Sequence, residues 1–439
     1  PTNQTFYEIL AAVQAHISRN YTSLLEDNVA DSEELLASYV RKFLEENSLT
    51  VGSLTQEQLL TKLLDEMLRY SFLTKYLVCD DVEEVNINSW EDVKITYTSG
   101  EVLPATEHFR TPGHAVDVVR RMLRESNMIW DNAQCIQVGH LAGNIRITAT
   151  GFDMVDKEKA LSVSIRKVNP KQLQKADFLK MGTATEEMLD FLQQVYTHDV
   201  SLCLTGATGS GKTTLLAWVL SHVPYQKRLI TLEQGTREFD CTVRDAAGKI
   251  LNSVVHFSTR YSDDAKQNIS QIKLLETIMT MNPDYIAVGE SKGEEAMQTV
   301  SAANTGHSVI TTTHANSAEA TYFRFVSLCK LQYPSMDEKL LTTLAVQAFP
   351  IVVFVKKLND NTRRILQINE AEMGDDGEIV YRPLYRYVIV RNTVKNGQPF
   401  VDGYFEKVNA PSARLKERLI ANGLQDKWVN KFWREEAKQ

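Results

Sequence analysis

The 439-residue chain carries 48 Lys+Arg against 56 Asp+Glu, a formal net charge of −8, with a hydrophobic content of 43% and a charged content of 24%. That composition excludes wholesale disorder, suits a helix-rich or α/β protein of two to four domains, and argues against a general nucleic-acid binder, which would be basic. Five cysteines, an odd number with no CxxC pair, argue against a disulfide scaffold and a tetra-cysteine zinc site, and no stretch approaches the ~18 apolar residues of a membrane span.

Residues 1–77 read as a helical module. Leucines and other apolar residues recur at three- and four-residue intervals from Leu24 to Leu44 and from Leu59 to Leu68, and Thr55 with Gln58 resembles a capped helix start. The first 66 residues hold 11 acids and 4 bases. The N-terminal segment lacks a basic stretch followed by an apolar core, so no signal peptide is expected. From residue 78 the pattern alternates: strands are predicted over 82–88 and 93–97, a helix over 111–127 opened by Thr111-Pro112, then strands within 134–150 and 160–168. This α+β module (78–170) closes at Asn169-Pro170, and residues 110–175 hold eleven bases and six acids. A linker is predicted over 171–182.

Residues 183–439 begin as alternating strands and helices. Strands are predicted at 200–205, 228–232, 285–288 and 308–313, and helices at 184–196, 212–220, 269–281, 293–304 and 317–328, with a hairpin around Ala247-Gly248. That alternation implies a parallel, doubly wound sheet. An appendage (about 351–439) adds strands at 351–356, 363–369 and 385–391, a turn at Asn396-Gly397 and a closing helix from about Ser412.

The chemistry gathers in the α/β region. Gly206-Ala207-Thr208-Gly209-Ser210-Gly211-Lys212-Thr213, followed by Thr214, satisfies GxxxxGK(S/T) between an apolar strand and a helix. The glycines permit a nest of N–H groups facing phosphate, Lys212 can bridge the β- and γ-phosphates, and the Thr213 hydroxyl can ligate Mg²⁺. An ATP site is therefore expected. Glu290 ends the apolar strand 285–288, as a water positioner and general base or as a helix first-turn acid. His314 follows the next strand and His307 precedes it. Glu233 and Glu238 form an acidic pair after the strand 228–232, or lie as surface acids.

Four ordered segments resemble the type II/type IV secretion ATPase superfamily of secretion and pilus-assembly motors. The loop 206–213 matches its Walker A motif. Ile230-Thr231-Leu232-Glu233 with Thr236-Arg237-Glu238 is similar to its Asp box. Asn282 to Gly293, with Gly289-Glu290, resembles its Walker B, and Thr305-Gly306-His307 with Thr313-His314-Ala315-Asn316 matches its His box. Asp81 to Asn88 and Ser164-Ile165-Arg166-Lys167 resemble the strands of its preceding, PAS-like domain. Gly403-Tyr404-Phe405 and Leu415 to Gly423 resemble the tail of the tight-adherence pilus branch, the CpaF/TadA type.

The resemblance implies a RecA-like P-loop motor domain, ATP and Mg²⁺ as ligands, and a homohexamer. Glu290 becomes the catalytic glutamate, with Thr213, on the metal. Glu233 and Glu238 would support metal or water, and His314 with His307 would read the γ-phosphate. Arg166 and Arg146 of the preceding domain, and Arg260 in Ser258-Thr259-Arg260, would act as arginine fingers. Arg120 and Arg121 fit that role less well. It further implies a cytoplasmic motor, peripheral at the inner face of the membrane, working on a platform protein with no direct nucleic-acid partner. Departures are Gln234 in place of an Asp, an extra Gly235, and Lys292 where the family has Arg. The alternatives are a conjugation-type secretion ATPase, a DNA-stimulated RecA-like motor, and a regulatory module with degraded catalysis.

Overall fold

The computed structural model describes residues 5–434 except 21–29, 53, 127, 142–144, 168–172, 236, 261–264 and 396. Asn169-Pro170, the first two linker residues, Thr236 of the acidic segment and Asn396 of the expected turn thus lie outside the described residues. The chain divides into two units, Pro1–Lys167 and Val168–Gln439.

The first unit opens with α1 (Phe6–Asn20), α2 (Ala30–Glu46), α3 (Gln56–Met67) and α4 (Leu73–Val78). The three- and four-residue spacing turns Ile9, Leu10, Val13 and Ile17 onto Leu36, Val40 and Leu44 and onto Leu59, Leu60, Leu63 and Leu64. At α3 the Thr55 hydroxyl accepts from the Gln58 N–H, and the Gln58 side chain accepts from the Thr55 N–H, a reciprocal cap. Helix α4 departs from the helical module predicted to end at 77. Its Leu73, Tyr76 and Leu77 join the core of the sheet that follows.

That sheet has the order β3-β2-β1-β6-β5-β4 and is antiparallel throughout. Its strands are β1 (Val82–Ile87), β2 (Val93–Tyr97), β3 (Val102–Pro104), β4 (Ile136–Leu141), β5 (Ile145–Gly151) and β6 (Leu161–Lys167). Helix α5 (Pro112–Glu125), capped by the Thr111 hydroxyl, contributes Ala115, Val118, Val119, Met122 and Leu123 to a core shared with Val85, Ile87, Ile147 and Ile165. The alternation leaves the opposite face polar. Strand β3 was not expected, since its three residues are all exposed and show no alternation.

The second unit begins with α6 (Lys175–Lys180), inside the stretch predicted as linker, and α7 (Glu186–Thr197). Its parallel strands are β7 (Leu202–Thr205), β8 (Leu229–Glu233), β9 (Val254–Ser258), β10 (Tyr285–Val288), β11 (Ser308–Thr313) and β12 (Ile351–Lys357). Between them run α8 (Lys212–Leu220), α9 (Gln271–Met279), α10 (Ala296–Asn304), α11 (Ala320–Gln332) and α12 (Glu338–Ala348). The sheet continues antiparallel through β13 (Arg363–Met373), β14 (Ile379–Lys395) and β15 (Gln398–Lys407), and α13 (Ala413–Ala421) and α14 (Asp426–Phe432) follow. Its order is β15-β14-β13-β12-β7-β11-β10-β8-β9.

Both faces of the parallel strands are covered, which is why they read as continuous apolar runs. Along β7, Leu202 and Leu204 enter one core with α7, α8 and the closing helices, whereas Cys203 enters the other with α9 to α12. The region around Ala247-Gly248 carries a single antiparallel bridge, Arg244 to Ile250. Neither β9 nor α12 was predicted. Edge strand β9 is only half-buried, and its short apolar stretch is broken by His256.

A charge network closes this unit. Nearly buried Asp190 on α7 accepts from Lys175 of α6 and Lys431 of α14, each at 2.6 Å. One turn away Glu187 accepts from Lys407 of β15 (2.8 Å) and the Tyr385 hydroxyl of β14 (2.9 Å).

Candidate functional site

The ends of the parallel strands present the loops that carry chemistry, as open α/β sheets do. Across that edge the order is β12, β7, β11, β10, β8. The loop after β7 takes the form its glycines permit: Gly206, Gly209 and Gly211 have φ of +145°, +73° and +96°. Gly206 is also forced by close approach, because a Cβ there would lie 2.0 Å from the Val355 carbonyl oxygen of β12.

Helix α8 starts on Gly211 without a side-chain cap, so its first N–H groups remain available to an anion. Lys212, buried at 7% exposure, donates to the Gly206 and Ala207 carbonyls at 2.9 and 3.0 Å. The Thr205 and Ser210 hydroxyls are buried with no partner among the described residues. A buried ammonium, unsatisfied hydroxyls and an uncapped helix start fit a phosphate chain. The partly exposed Thr213 hydroxyl on the first turn fits its metal.

Beside this loop, Glu290 follows β10 and His314 follows β11. His314 Nε2 lies 2.8 Å from one Glu290 oxygen, and Lys292 Nζ lies 3.4 Å from the other. All three side chains are part-exposed. The carboxylate is thus held between two cationic or potentially cationic groups, able to orient a water and take its proton. Gln271 of α9, almost fully buried, donates to the Glu290 carbonyl at 3.1 Å.

Glu233 ends β8, and Leu232 is in register with Val288 of β10. The two acidic strand ends are therefore neighbours. Gly289 makes room for this, since a Cβ there would sit 3.3 Å from Glu233 Cγ. Glu233 accepts the Glu238 N–H at 2.6 Å. Burial, with Glu238's charge adding, pushes its carboxyl up to about 8 against the opposing pulls of that N–H and Arg237.

The stability consequence has a definite sign. The folded chain holds this proton more tightly than the unfolded one, so Glu233 costs stability as pH rises from about 4.5 to about 8, by at most ~1.4 kcal/mol per pH unit. In nucleotide-free thermal melts Glu233→Gln is expected to flatten the fall in Tm across that window. An unchanged slope would count against the buried, protonated carboxyl.

The structure separates His307 from this group. It immediately precedes β11 and its Nδ1 pairs with the Pro283 carbonyl at 3.0 Å. Six residues at ~3.3 Å each place it ~20 Å of strand away from the edge that carries His314. Arg260 stays on its own loop, donating to the Gln267 carbonyl at 2.8 Å, while its backbone bridges Ile269.

In the first unit, considered by itself, Arg166 and Arg146 face each other on β6 and β5, flanked by Glu84 of β1 and His140 of β4. Like charges in direct cross-strand register are destabilising, which suits a face built to meet an anion. The sequence reading missed Arg363 and Gln271. Arg363 Nε donates to the Gly209 carbonyl at 2.9 Å from 154 positions away, and no local motif announces it.

The profile of the family described as "Type II/IV secretion system protein" matches residues 136–381, more than half the chain. The type IV secretion system protein VirB11 of Brucella suis biovar 1 is 27% identical over 186 residues, 40% of this chain and 49% of that protein. Uncharacterized protein MJ1287 of Methanocaldococcus jannaschii is 26% identical over 212 residues, 48% of this chain and 74% of that protein. The chain therefore spans about half the length of VirB11. Among solved structures, the Legionella pneumophila ATPase DotB is similar at 18% identity and a TM-score of 0.48, over 70% of this chain and 80% of that one. Among the described residues, no helix is long and apolar enough to cross a membrane.

Proposed function

This chain belongs to the type II/IV secretion system protein family, and from that premise we propose that it is an Mg²⁺-dependent ATPase that drives a secretion or pilus machine. The supporting observation is the juxtaposition at one sheet edge of the 206–213 loop with the Glu290–His314 pair. ATP's phosphates would rest on the N–H groups of residues 206–214 and on Lys212. Glu290 aligns water for in-line attack on the γ-phosphorus and accepts its proton, so that ADP and phosphate leave. His314 orients Glu290 and senses the γ-phosphate through the same edge. The Thr213 hydroxyl, with Glu290 nearby, would hold Mg²⁺, which would supply neutralisation of phosphate charge.

Glu233 and Glu238 support the site from the neighbouring strand. Arg146, Arg166 and Arg260 are the candidates to stabilise transition-state charge across protomers of a homohexamer. In the finer reading the motor sits at the inner face of the membrane, works on a platform protein and assembles a tight-adherence pilus. The VirB11 match supports a second reading, a conjugation-type secretion motor. The decisive assay is phosphate release from ATP with Mg²⁺, with and without single-stranded DNA. Mg²⁺-dependent turnover indifferent to DNA is expected. No turnover would remove the ATPase reading, and strong stimulation at moderate salt would replace it with a nucleic-acid motor.

A further inference from the structure

We propose that Arg363 is a positioning residue of the phosphate-binding loop, acting through the Gly209–Ser210 peptide; the inference rests on the reading of residues 206–213 as the ATP site. Gly209, at φ +73°, turns its carbonyl outward onto Arg363 Nε at 2.9 Å. A trans peptide is planar, so fixing that oxygen on one side sends the Ser210 N–H to the other. There it points across the loop to the Ala207 carbonyl at 3.3 Å. One hydrogen bond from outside thus sets the direction of a donor inside. Lys212 holds the Gly206 and Ala207 carbonyls as Arg363 holds that of Gly209. Two cations thereby occupy three loop carbonyls, groups that would repel phosphate, while the Ser210 N–H braces the loop on Ala207 and holds the shape in which the remaining N–H groups face the anion.

Arg363 reaches the loop from a rigid mount. Its Cδ lies where a Cβ on Gly211 would come within 3.3 Å, so its stem packs along the loop. It is the first residue of β13. The preceding turn is closed by Leu358 N–H to the Thr362 carbonyl (2.7 Å) and by Asp360 accepting from the Thr362 hydroxyl (2.6 Å). The next two residues are fixed elsewhere: Arg364 donates to the Met181 carbonyl at 2.7 Å, and the Ile365 N–H to the Thr183 carbonyl at 2.9 Å. Adjacent strand residues face opposite ways, so Arg364 has the same charge one position on and is aimed away from the loop.

That pair makes the test. In the full chain, R363A is expected to weaken binding of a fluorescent ATP analogue and of ADP about tenfold, the scale of one hydrogen bond from a charged donor. KM for ATP rises by a similar factor, with a smaller fall in kcat, while R364Q binds within about twofold of wild type. Should R363A lose its melting transition, R363M, which keeps the apolar stem beside Gly211 but has no N–H donor, carries the same comparison. R363A binding like wild type overturns the proposal. So do equal losses in R363A and R364Q, which would mean a diffuse charge effect or damage to β13. A wild-type chain that binds no ATP overturns the reading of the loop itself, a separate outcome.

Discussion

Replacing Lys212 with alanine is expected to raise the Kd for ATP at least about a hundredfold, ~2.8 kcal/mol, without lowering the melting temperature of the nucleotide-free chain. The asymmetry follows from burial. Lys212 is 7% exposed and satisfied by two carbonyls, Gly206 and Ala207. A buried ammonium costs free energy unless it is fully compensated, and removing it relieves that cost. What the variant loses is the charge that meets the phosphates. The readout is the rise in Tm on adding ATP, large for wild type and absent for Lys212→Ala. A variant still stabilised by ATP would show that the nucleotide sits elsewhere.

Glu290→Gln is expected to bind ATP within about threefold of wild type and to turn it over roughly 10²–10³ times more slowly, the range in which a positioned general base acts. The amide keeps the size of the carboxylate and can still accept from His314, which lies 2.8 Å away. It cannot take a proton, and it gives up the charge pairing with Lys292 at 3.4 Å. Single-turnover measurements separate the two quantities. If binding and turnover fall together, Glu290 is a structural first-turn acid. His314→Ala should fall between, since it loosens the glutamate without removing it.

The parts of the fold and candidate site that the sequence disclosed are those whose cause is local. Gly206, Gly209 and Gly211 sit between an apolar strand and a helix because the turn between them needs left-handed backbone. Glu290 and His314 could be paired on paper because each ends a parallel strand, and neighbouring strand ends converge.

Where the cause is not local, the text was silent or misleading. His307 and His314 are seven positions apart, and nothing in their spacing states that a whole strand lies between them, turning one toward each edge of the sheet. Gly289 looked like a motif letter. Its reason is the Glu233 side chain on the next strand. Arg363 acts on a loop 154 positions earlier, through a hairpin whose placement depends on sheet order. Helix α4 carried a helical period, but its Leu73, Tyr76 and Leu77 pack into the sheet's core, which the period alone does not reveal. Strand β9, at a half-solvated edge, had only Val254, Val255 and Phe257 to mark it, too short a stretch to read as a strand.

The network around Asp190 bears on how the second unit can be cut and tagged. Three lysines meet three acids of α7, Asp190, Glu187 and, through Lys175, Glu186, and one of them, Lys431, comes from the last helix described. A motor fragment trimmed after the sheet would leave Asp190 with one cation fewer in a nearly buried setting, and would also remove the fully buried Phe432 ring from its edge-on contact with Phe191. Asp190 would keep Lys175 but lose half of its charge compensation, and the Phe191 packing would lose a fully buried ring, so both changes lower stability. The helices after β15 are therefore part of the folded core of the second unit. The minimal expressible form of the second unit should run from before Lys175 through at least Trp433.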